Sequence, residues 1–118
     1  MIELPYPPSV NRMWRNFNGR MVLSTNGRKY KAVAALTAKL HGVELMTGLV
    51  AVTVILHPKK TANGGASKTR IDLDNALKCV LDSLNGVAYH DDKQVVRIYA
   101  EVGPPVESGG VSVVVIGL

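Results

Sequence analysis

The run from Leu49 to Pro58, LVAVTVILHP, constrains the fold more than any other stretch of this sequence. It is rich in β-branched residues and has a period of two, the pattern of a strand with one buried face. Pro58 ends it, since proline lacks the backbone N–H that a sheet uses. Similar strand patterns occur at Gln94–Val102 and Val111–Leu118, and a short apolar segment opens the chain at Met1–Pro5. The sequence therefore predicts four strands of one sheet.

Two helices are predicted between these strands. The first begins at Ser24 or Thr25, either of which can cap it, and runs to about Gly42. The second spans Asp72 to Asn85 and ends before Gly86. Its predicted buried stripe consists of Leu73, Leu77, Val80, Leu81 and Leu84. The order β-α-β-α-β-β predicts an α+β fold in a single domain of residues 1–118, with two helices on a mixed sheet.

Two segments lack a clear periodic pattern. Ser9–Gly27 is predicted to be a long loop or a loose hairpin, and loops of this length are usually functional or disordered. Lys59–Lys68, KKTANGGASK, has too few apolar residues for regular structure. A flexible basic loop directly before an acidic motif is well placed to contact phosphates. A solvated surface loop explains the same composition.

The composition indicates a basic, globular protein. Of the 118 residues, 47% are hydrophobic and 19% are charged, which argues against disorder. The net charge of +5 favours partners rich in phosphate. Cys79 is the only cysteine, lies within a helix pattern and is expected to be a small buried residue. The N-terminus has no signal-peptide pattern and no apolar run approaches membrane-spanning length, so we expect a cytoplasmic protein that does not bind membranes.

Five of the nine acidic residues fall between Arg70 and Asp92. Ordinary structural roles exist for most of them. Asp72 suits a helix N-cap and Asp74 suits the first helical turn, where the helix dipole favours a negative charge. Asp91 and Asp92 suit a turn before a strand. Such roles explain each pair separately, but not the concentration of carboxylates in a basic chain.

Lys78 also has an ordinary explanation. It lies four residues after Asp74 and four before Asp82, so it can form an ion pair with either, a contact that contributes about 0.2–0.5 kcal/mol. If the aspartates are catalytic, the same lysine would position the nucleophile or stabilise the extra charge of a transition state.

The length of the helix and of the turn after it allows the carboxylates to meet. A helix from Asp72 to Asn85 would be about 20 Å long, at roughly 1.5 Å per residue. The segment Gly86–Asp91 is long enough to return the chain to the helix start, where Asp92 could join Asp72 and Asp74. Three such carboxylates would repel one another without a cation, and Mg²⁺ matches oxygen ligands of this kind. No Cys/His set has zinc spacing.

Three motifs of this chain resemble the RusA family of Holliday-junction resolvases of bacteria and their prophages. The first is Asp72-Leu73-Asp74-Asn75 with Lys78, and the second is Asp91-Asp92-Lys93-Gln94-Val95-Val96. The third is the opening LPYPPSVNRMWR, followed by a turn at Gly19 and Arg20 and by Ser24 at a helix start. The resemblance extends from Leu4 to about Val102.

The resemblance implies a homodimeric, Mg²⁺-dependent endonuclease, bacterial or phage-encoded. It would resolve four-way DNA junctions by paired symmetric nicks in recombination and repair. By position, Asp72, Asp74 and Asp92 would be metal-binding catalytic carboxylates and Lys78 the catalytic lysine, whereas Asp91 has a weaker claim. The expected DNA contacts are Asn11 and Arg12, which match the family opening, together with the other basic candidates Arg15, Arg20, Lys59, Lys60, Lys68 and Arg70.

Two alternatives remain open on the sequence. The chain could be a non-catalytic nucleic-acid-binding module in which the aspartates only cap helices and turns. It could instead be a metal-dependent nuclease for RNA, flaps or another branched substrate. Recognition of single strands by stacking has weak support, because the only aromatic candidates in the basic segments are Trp14, Phe17 and Tyr30.

Overall fold

The computed structural model describes residues 1–118. Its strands are β1 (Ile2–Leu4), β2 (Trp14–Phe17), β3 (Arg20–Leu23), β4 (Val50–His57), β5 (Val95–Val102) and β6 (Gly110–Gly117). Its helices are α1 (Val10–Met13), α2 (Thr25–Leu40) and α3 (Leu73–Ser83), and a single 3₁₀ turn covers Asp92–Gln94. No helix is both long enough and apolar enough to cross a membrane.

Four of the strands form one mixed sheet in the order β1-β6-β4-β5. β4 pairs in parallel with β5 and antiparallel with β6, so that Val54 lies between Ala100 and Val113. A parallel neighbour requires a crossover connection, and α3 supplies it between β4 and β5. The predicted α+β class and mixed sheet are confirmed, and a loop with the 3₁₀ turn joins α3 to β5.

The core lies between one face of this sheet and the helices. Alternate residues of β4 are buried because successive side chains of a strand point to opposite faces. The core cluster contains Val50, Val52, Val54 and Leu56 of β4, Val111 and Val113 of β6, Ala34 and Ala38 of α2, and Ala76, Val80 and Leu84 from α3 and its C-cap. The alternation that predicted β4 is thus the alternation that builds the core.

The segment Ser9–Gly27 is more ordered than predicted, and it adds one helix and two strands to the expected order. Ser9 caps the short α1 by accepting a hydrogen bond from the N–H of Arg12. Asn18 and Gly19 both have positive φ (52° and 79°) and join β2 to β3 in a tight hairpin. Asn-Gly is a strong hairpin signal. The flanking strands are mostly exposed and show no apolar alternation, so the sequence pattern does not identify them as strands.

The buried face of α3 differs in part from the predicted stripe. Val80 and the C-cap Leu84 are fully buried, but Leu73, Leu77 and Leu81 are only half-buried. The small residues Ala76, Cys79 and Ser83 are buried instead, because they allow the close approach of neighbouring elements. Burial also raises the pKa of the Cys79 thiol to about 12, which fits the expected small buried residue.

Lys59–Lys68 contains no helix or strand, as predicted, but it is held by hydrogen bonds. The N–H of Thr61 donates to the carbonyl of Gly65 (2.8 Å), and the N–H of Ser67 donates to that of Lys59 (2.9 Å). The expected flexible loop is therefore a small closed turn that follows β4.

Candidate active site

The start of α3 presents two carboxylates in different directions. Asp72 has the N-cap position, with φ −63° and ψ 144°, yet its side chain accepts no capping hydrogen bond. Asp74 lies in the first turn, and both residues are exposed. Residues two apart on a helix do not face each other. The capping role predicted for Asp72 thus applies to its backbone alone, which leaves the carboxylate available for other partners.

A buried tyrosine fixes the return of the chain after α3. The helix ends at Ser83, and Gly86, with φ of 77°, turns the chain in the left-handed region that favours glycine. The N–H of Gly86 donates to the carbonyl of Tyr89 (2.7 Å), and the Tyr89 hydroxyl donates to the carbonyl of Leu81 (2.7 Å). The loop therefore lies back along α3 and brings the two following aspartates to it.

The two aspartates at the end of this loop differ in role. The carboxylate of Asp91 accepts from the N–H of Lys93 (2.8 Å), and Gln94 accepts from the N–H of Asp91 (3.0 Å), which forms a capping box. The hydrogen bond from Lys93 lowers the pKa of Asp91. Burial, followed by the nearby carboxylates of Asp91 and Asp82, raises the pKa of Asp92. Asp91 is thus a structural cap, and Asp92 is left beside other carboxylates.

Asp74 and Asp92 line one cavity of 230 Å³, here called the acidic cavity. Its lining residues are Asp74, Leu77, Lys78, Leu81, Asp82 and Asp92. Lys78 Nζ lies 3.4 Å from Asp82 Oδ2, so the lysine pairs with Asp82. Leu77 and Leu81 form the apolar part of the lining.

Asp82 belongs to this cavity and was not among the predicted site residues. Its side chain is only 17% exposed, and its buried Oδ2 has the Lys78 ion pair but no hydrogen bond. A signal for it exists in the sequence, because Asp74, Lys78 and Asp82 follow one another at intervals of four residues. That spacing places all three on one side of a helix.

Asp72 lines a second, larger cavity of 470 Å³, here called the basic cavity. Three of the predicted DNA-binding residues, Arg12, Lys59 and Arg70, also line it. They come from α1, from the turn after β4 and from the segment before α3. The fold thus gathers cations that are distant in sequence around the first aspartate of the motif.

Tyr6 connects the N-terminal segment to the start of α3. The N–H of Ile71, directly before Asp72, donates to the Tyr6 hydroxyl at 2.6 Å. The Lys59 ammonium group lies 5.3 Å from the centre of the Tyr6 ring, within the range of a cation–π contact. Tyr6 therefore holds both the backbone before Asp72 and one cation of the basic cavity.

The other predicted DNA-binding residues lie outside both cavities. Asn11 is on α1, Arg15 and Arg20 are on the β2–β3 hairpin, and Lys60 and Lys68 are on the turn after β4. All five are exposed. The structure does not bring them into one cluster with the carboxylates.

No group of three His, Cys, Asp or Glu side chains is close enough together to hold a metal ion. Asp74 and Asp92 share the acidic cavity, and Asp72 lines the basic one. Mg²⁺ is commonly held by one or two carboxylates and keeps several waters. Asp74 and Asp92, together with the buried Oδ2 of Asp82 that pairs with Lys78, are oxygen donors that fit such an ion in chemical type.

The chain is similar to known proteins over nearly its whole length. Residues 5–116 match the family model described as Endodeoxyribonuclease RusA. The crossover junction endodeoxyribonuclease rusA of Enterobacteria phage 82 is 36% identical over 113 residues, covering 92% of this chain and 86% of the relative. Proteins of the same name from Escherichia coli K12 and from Escherichia coli O139:H28 are 33% and 31% identical, with the same coverage. This chain belongs to the RusA family of endodeoxyribonucleases.

Proposed function

We propose that this protein is a Mg²⁺-dependent endodeoxyribonuclease that resolves four-way DNA junctions by paired symmetric nicks, in DNA recombination and repair. Membership of the RusA family supports the nuclease activity. The name of its relatives, crossover junction endodeoxyribonuclease, supports a branched DNA substrate. The net charge of +5 is consistent with a polyanionic substrate.

The observation that carries the proposal is that the basic and the acidic cavity share the start of α3. Asp72 lines the first and Asp74 the second, although only one residue separates them. A phosphate held in the basic cavity would therefore lie next to the carboxylates of the acidic one. Arg12 and Arg70 can contact phosphate oxygens through two N–H groups at once, which Lys59 cannot.

Asp74 and Asp92 are the residues that would hold Mg²⁺, and Asp72 is the third proposed ligand. Its carboxylate is exposed and accepts no capping hydrogen bond, so it is able to turn toward the phosphate that the arginines bind. When bound, the ion supplies an activated water and neutralises charge on the scissile phosphate. The side chains around the two cavities would orient that phosphate and limit the other positions that it can take.

Lys78 and Asp82 would act together. The ammonium group of Lys78 is more than half exposed at the cavity, where it would stabilise negative charge that develops in the transition state. Asp82 holds the ammonium group at 3.4 Å and so limits its position. In this account Asp82 is a positioning residue and Lys78 is catalytic.

Paired nicks at symmetric positions require two active sites, which supports a homodimer of this chain. A twofold symmetric enzyme would place one acidic cavity on each of two strands of a junction. The second copy is therefore part of the proposal.

Asp74→Asn and Asp92→Asn are the variants that test it. We expect each to reduce the cleavage rate of a four-way junction by about 100-fold or more while binding of the junction is kept or becomes tighter. The matched control is Asp91→Asn, because asparagine caps as well as aspartate and the residue is exposed. Cleavage by Asp91→Asn should stay near that of the unmodified protein.

Full cleavage by Asp74→Asn in Mg²⁺ would contradict the proposal. Junction binding without any cleavage by the unmodified protein would favour a non-catalytic binding module. The same assay should include a flap, a plain duplex, a single strand and an RNA, because a preference for one of these would assign another substrate to the nuclease.

A further inference from the structure

The strand β5 leaves one edge of the main sheet uncovered. It is the last strand in the order β1-β6-β4-β5, and it runs for eight residues. Val96, Ile98 and Tyr99 are 55%, 45% and 57% exposed. A long apolar edge strand is a template for pairing with another chain, and proteins normally cover such an edge or protect it with charges or bulges. The edge strand β1, at the other end of the sheet, has only three residues.

The sequence of β5 is self-complementary around its centre. Counted outward from Tyr99, Ile98 lies opposite Ala100 and Arg97 lies opposite Glu101. The next pair outward is Val96 with Val102. A strand with this order presents matching side chains to an antiparallel copy of itself. Arg97 of each copy would form an ion pair with Glu101 of the other, and a twofold axis relates the two ion pairs.

Backbone geometry limits the possible registers. Two residues face each other in an antiparallel pair only if both direct their N–H and C=O groups toward the partner, or both direct them away. For two copies of one strand, the twofold axis must then pass beside a residue. An axis at Ile98 would set Arg97 against Tyr99, and an axis at Ala100 would set Glu101 against Tyr99. Of these three registers, only the one centred on Tyr99 opposes the unlike charges.

We propose that a second copy of this chain pairs antiparallel with β5 in the register centred on Tyr99, which joins two four-stranded sheets into one of eight strands. This inference rests on the proposed function, which requires two copies of the chain, and it adds the surface that joins them. The partner is chosen by charge complementarity, because Arg97 and Glu101 of one copy each meet the opposite charge on the other.

The two faces of the paired strands would contribute differently. Ile98, Ala100 and Val102 share a face with the buried residues of β4, since paired residues of neighbouring strands point to the same side. Pairing would bury Ile98 against Ala100 of the second copy on that side. The opposite face would carry the ion pairs between Arg97 and Glu101, with the two Tyr99 rings between them. In one copy the Tyr99 hydroxyl already donates to Glu101 at 2.9 Å, which orients that carboxylate.

Charge reversal tests the register. Arg97→Glu sets like charges opposite each other twice, and so does Glu101→Arg. We expect the dissociation constant of the dimer to rise about 100-fold or more in each variant, measured by sedimentation without DNA. The control is Lys39→Glu, which reverses another exposed cation, at the end of α2, and should leave the dimer unchanged. Circular dichroism confirms that each variant is folded.

Two combinations should restore the dimer. A mixture of the Arg97→Glu and Glu101→Arg proteins should form heterodimers, and the double variant should form homodimers, since opposite charges face each other again in both. Dimers that persist in the single variants, or a mixture that stays monomeric, would overturn the register. An unmodified protein that is monomeric at micromolar concentration would overturn the interface itself.

These outcomes are separable from failure of the proposed function. A protein that dimerises through β5 as described but cleaves no DNA would leave the interface standing and remove the nuclease. A protein that cleaves junctions and dimerises regardless of residues 97 and 101 would keep the nuclease and remove this interface.

Discussion

The acidic and basic cavities differ in how the sequence builds them. The acidic cavity draws most of its residues from one helix, at intervals of three or four, with Asp92 added by the returning loop. The basic cavity collects Arg12, Lys59 and Arg70 from three separate segments. A local pattern therefore specifies the carboxylates, whereas tertiary structure specifies the cations. The acidic half of the site is for this reason easier to recognise in a sequence.

The boundary between the cavities has a simple geometric cause. Asp72 and Asp74 are two residues apart, so a helix turns them to different sides. The motif thus places one carboxylate toward the cations and one toward Lys78. The short motif from Asp72 to Asp74 can in this way place one carboxylate near the phosphate and the other near Lys78.

Asp82, in the acidic cavity, is expected to have the larger effect on cleavage. Asp82→Asn should lower the rate of junction cleavage by about 10–100-fold, a range typical of residues that position catalytic groups. Junction binding should change little, because Asp82 lies outside the basic cavity. Single-turnover cleavage at saturating enzyme measures the rate separately from the affinity.

A double-mutant cycle controls for a general structural effect of Asp82. In a Lys78→Met background, Asp82→Asn should cost much less than it does alone, because the lysine it positions is gone. If the two effects simply multiply, Asp82 acts independently of Lys78 and the positioning role is wrong.

A smaller effect is expected in the basic cavity. Arg12→Ala should weaken junction binding several-fold and reduce the slope of log K against log salt by about 1, the value for one lost phosphate contact. The cleavage rate at saturation should be nearly unchanged. Lys39→Ala, an exposed cation far along α2, is the matched control and should alter neither quantity. A loss of rate without a loss of affinity in Arg12→Ala would show that the two cavities are not divided as described.

The sequence was sufficient for the main sheet and both long helices, because their patterns reflect burial directly. Val50 to Leu56 alternate in the structure as they do in the sequence, and Ser24 caps α2 as predicted. For Ser9–Gly27 the sequence left a loop and a loose hairpin both open, since β2 and β3 bury almost nothing and only Asn18 and Gly19 mark the turn. Patterns of hydrophobicity reveal elements that face a core and are silent about those that face solvent.

The parts of the site formed by residues close together in the sequence were predictable, and the parts formed by distant residues were not. The predicted return of Asp92 to α3 is seen, although it reaches Asp74 and not Asp72. The position of Asp82 beside Lys78 follows from the four-residue spacing of Asp74, Lys78 and Asp82. The role of Tyr6 was beyond reach of the sequence, because its bond to Ile71 joins residues that are distant along the chain. Contacts of this kind depend on the completed fold.

The most direct test of the central claim is the thermal stability of the protein as Mg²⁺ is added. If Asp74 and Asp92 hold the ion, unfolding should become more difficult in a saturable way, by about 2.7 kcal/mol at 100 times the dissociation constant. The Asp74→Asn/Asp92→Asn double variant should show no such gain, whereas Asp91→Asn should retain it. A protein whose stability is the same with and without Mg²⁺, or a double variant that responds like the unmodified chain, would contradict the account.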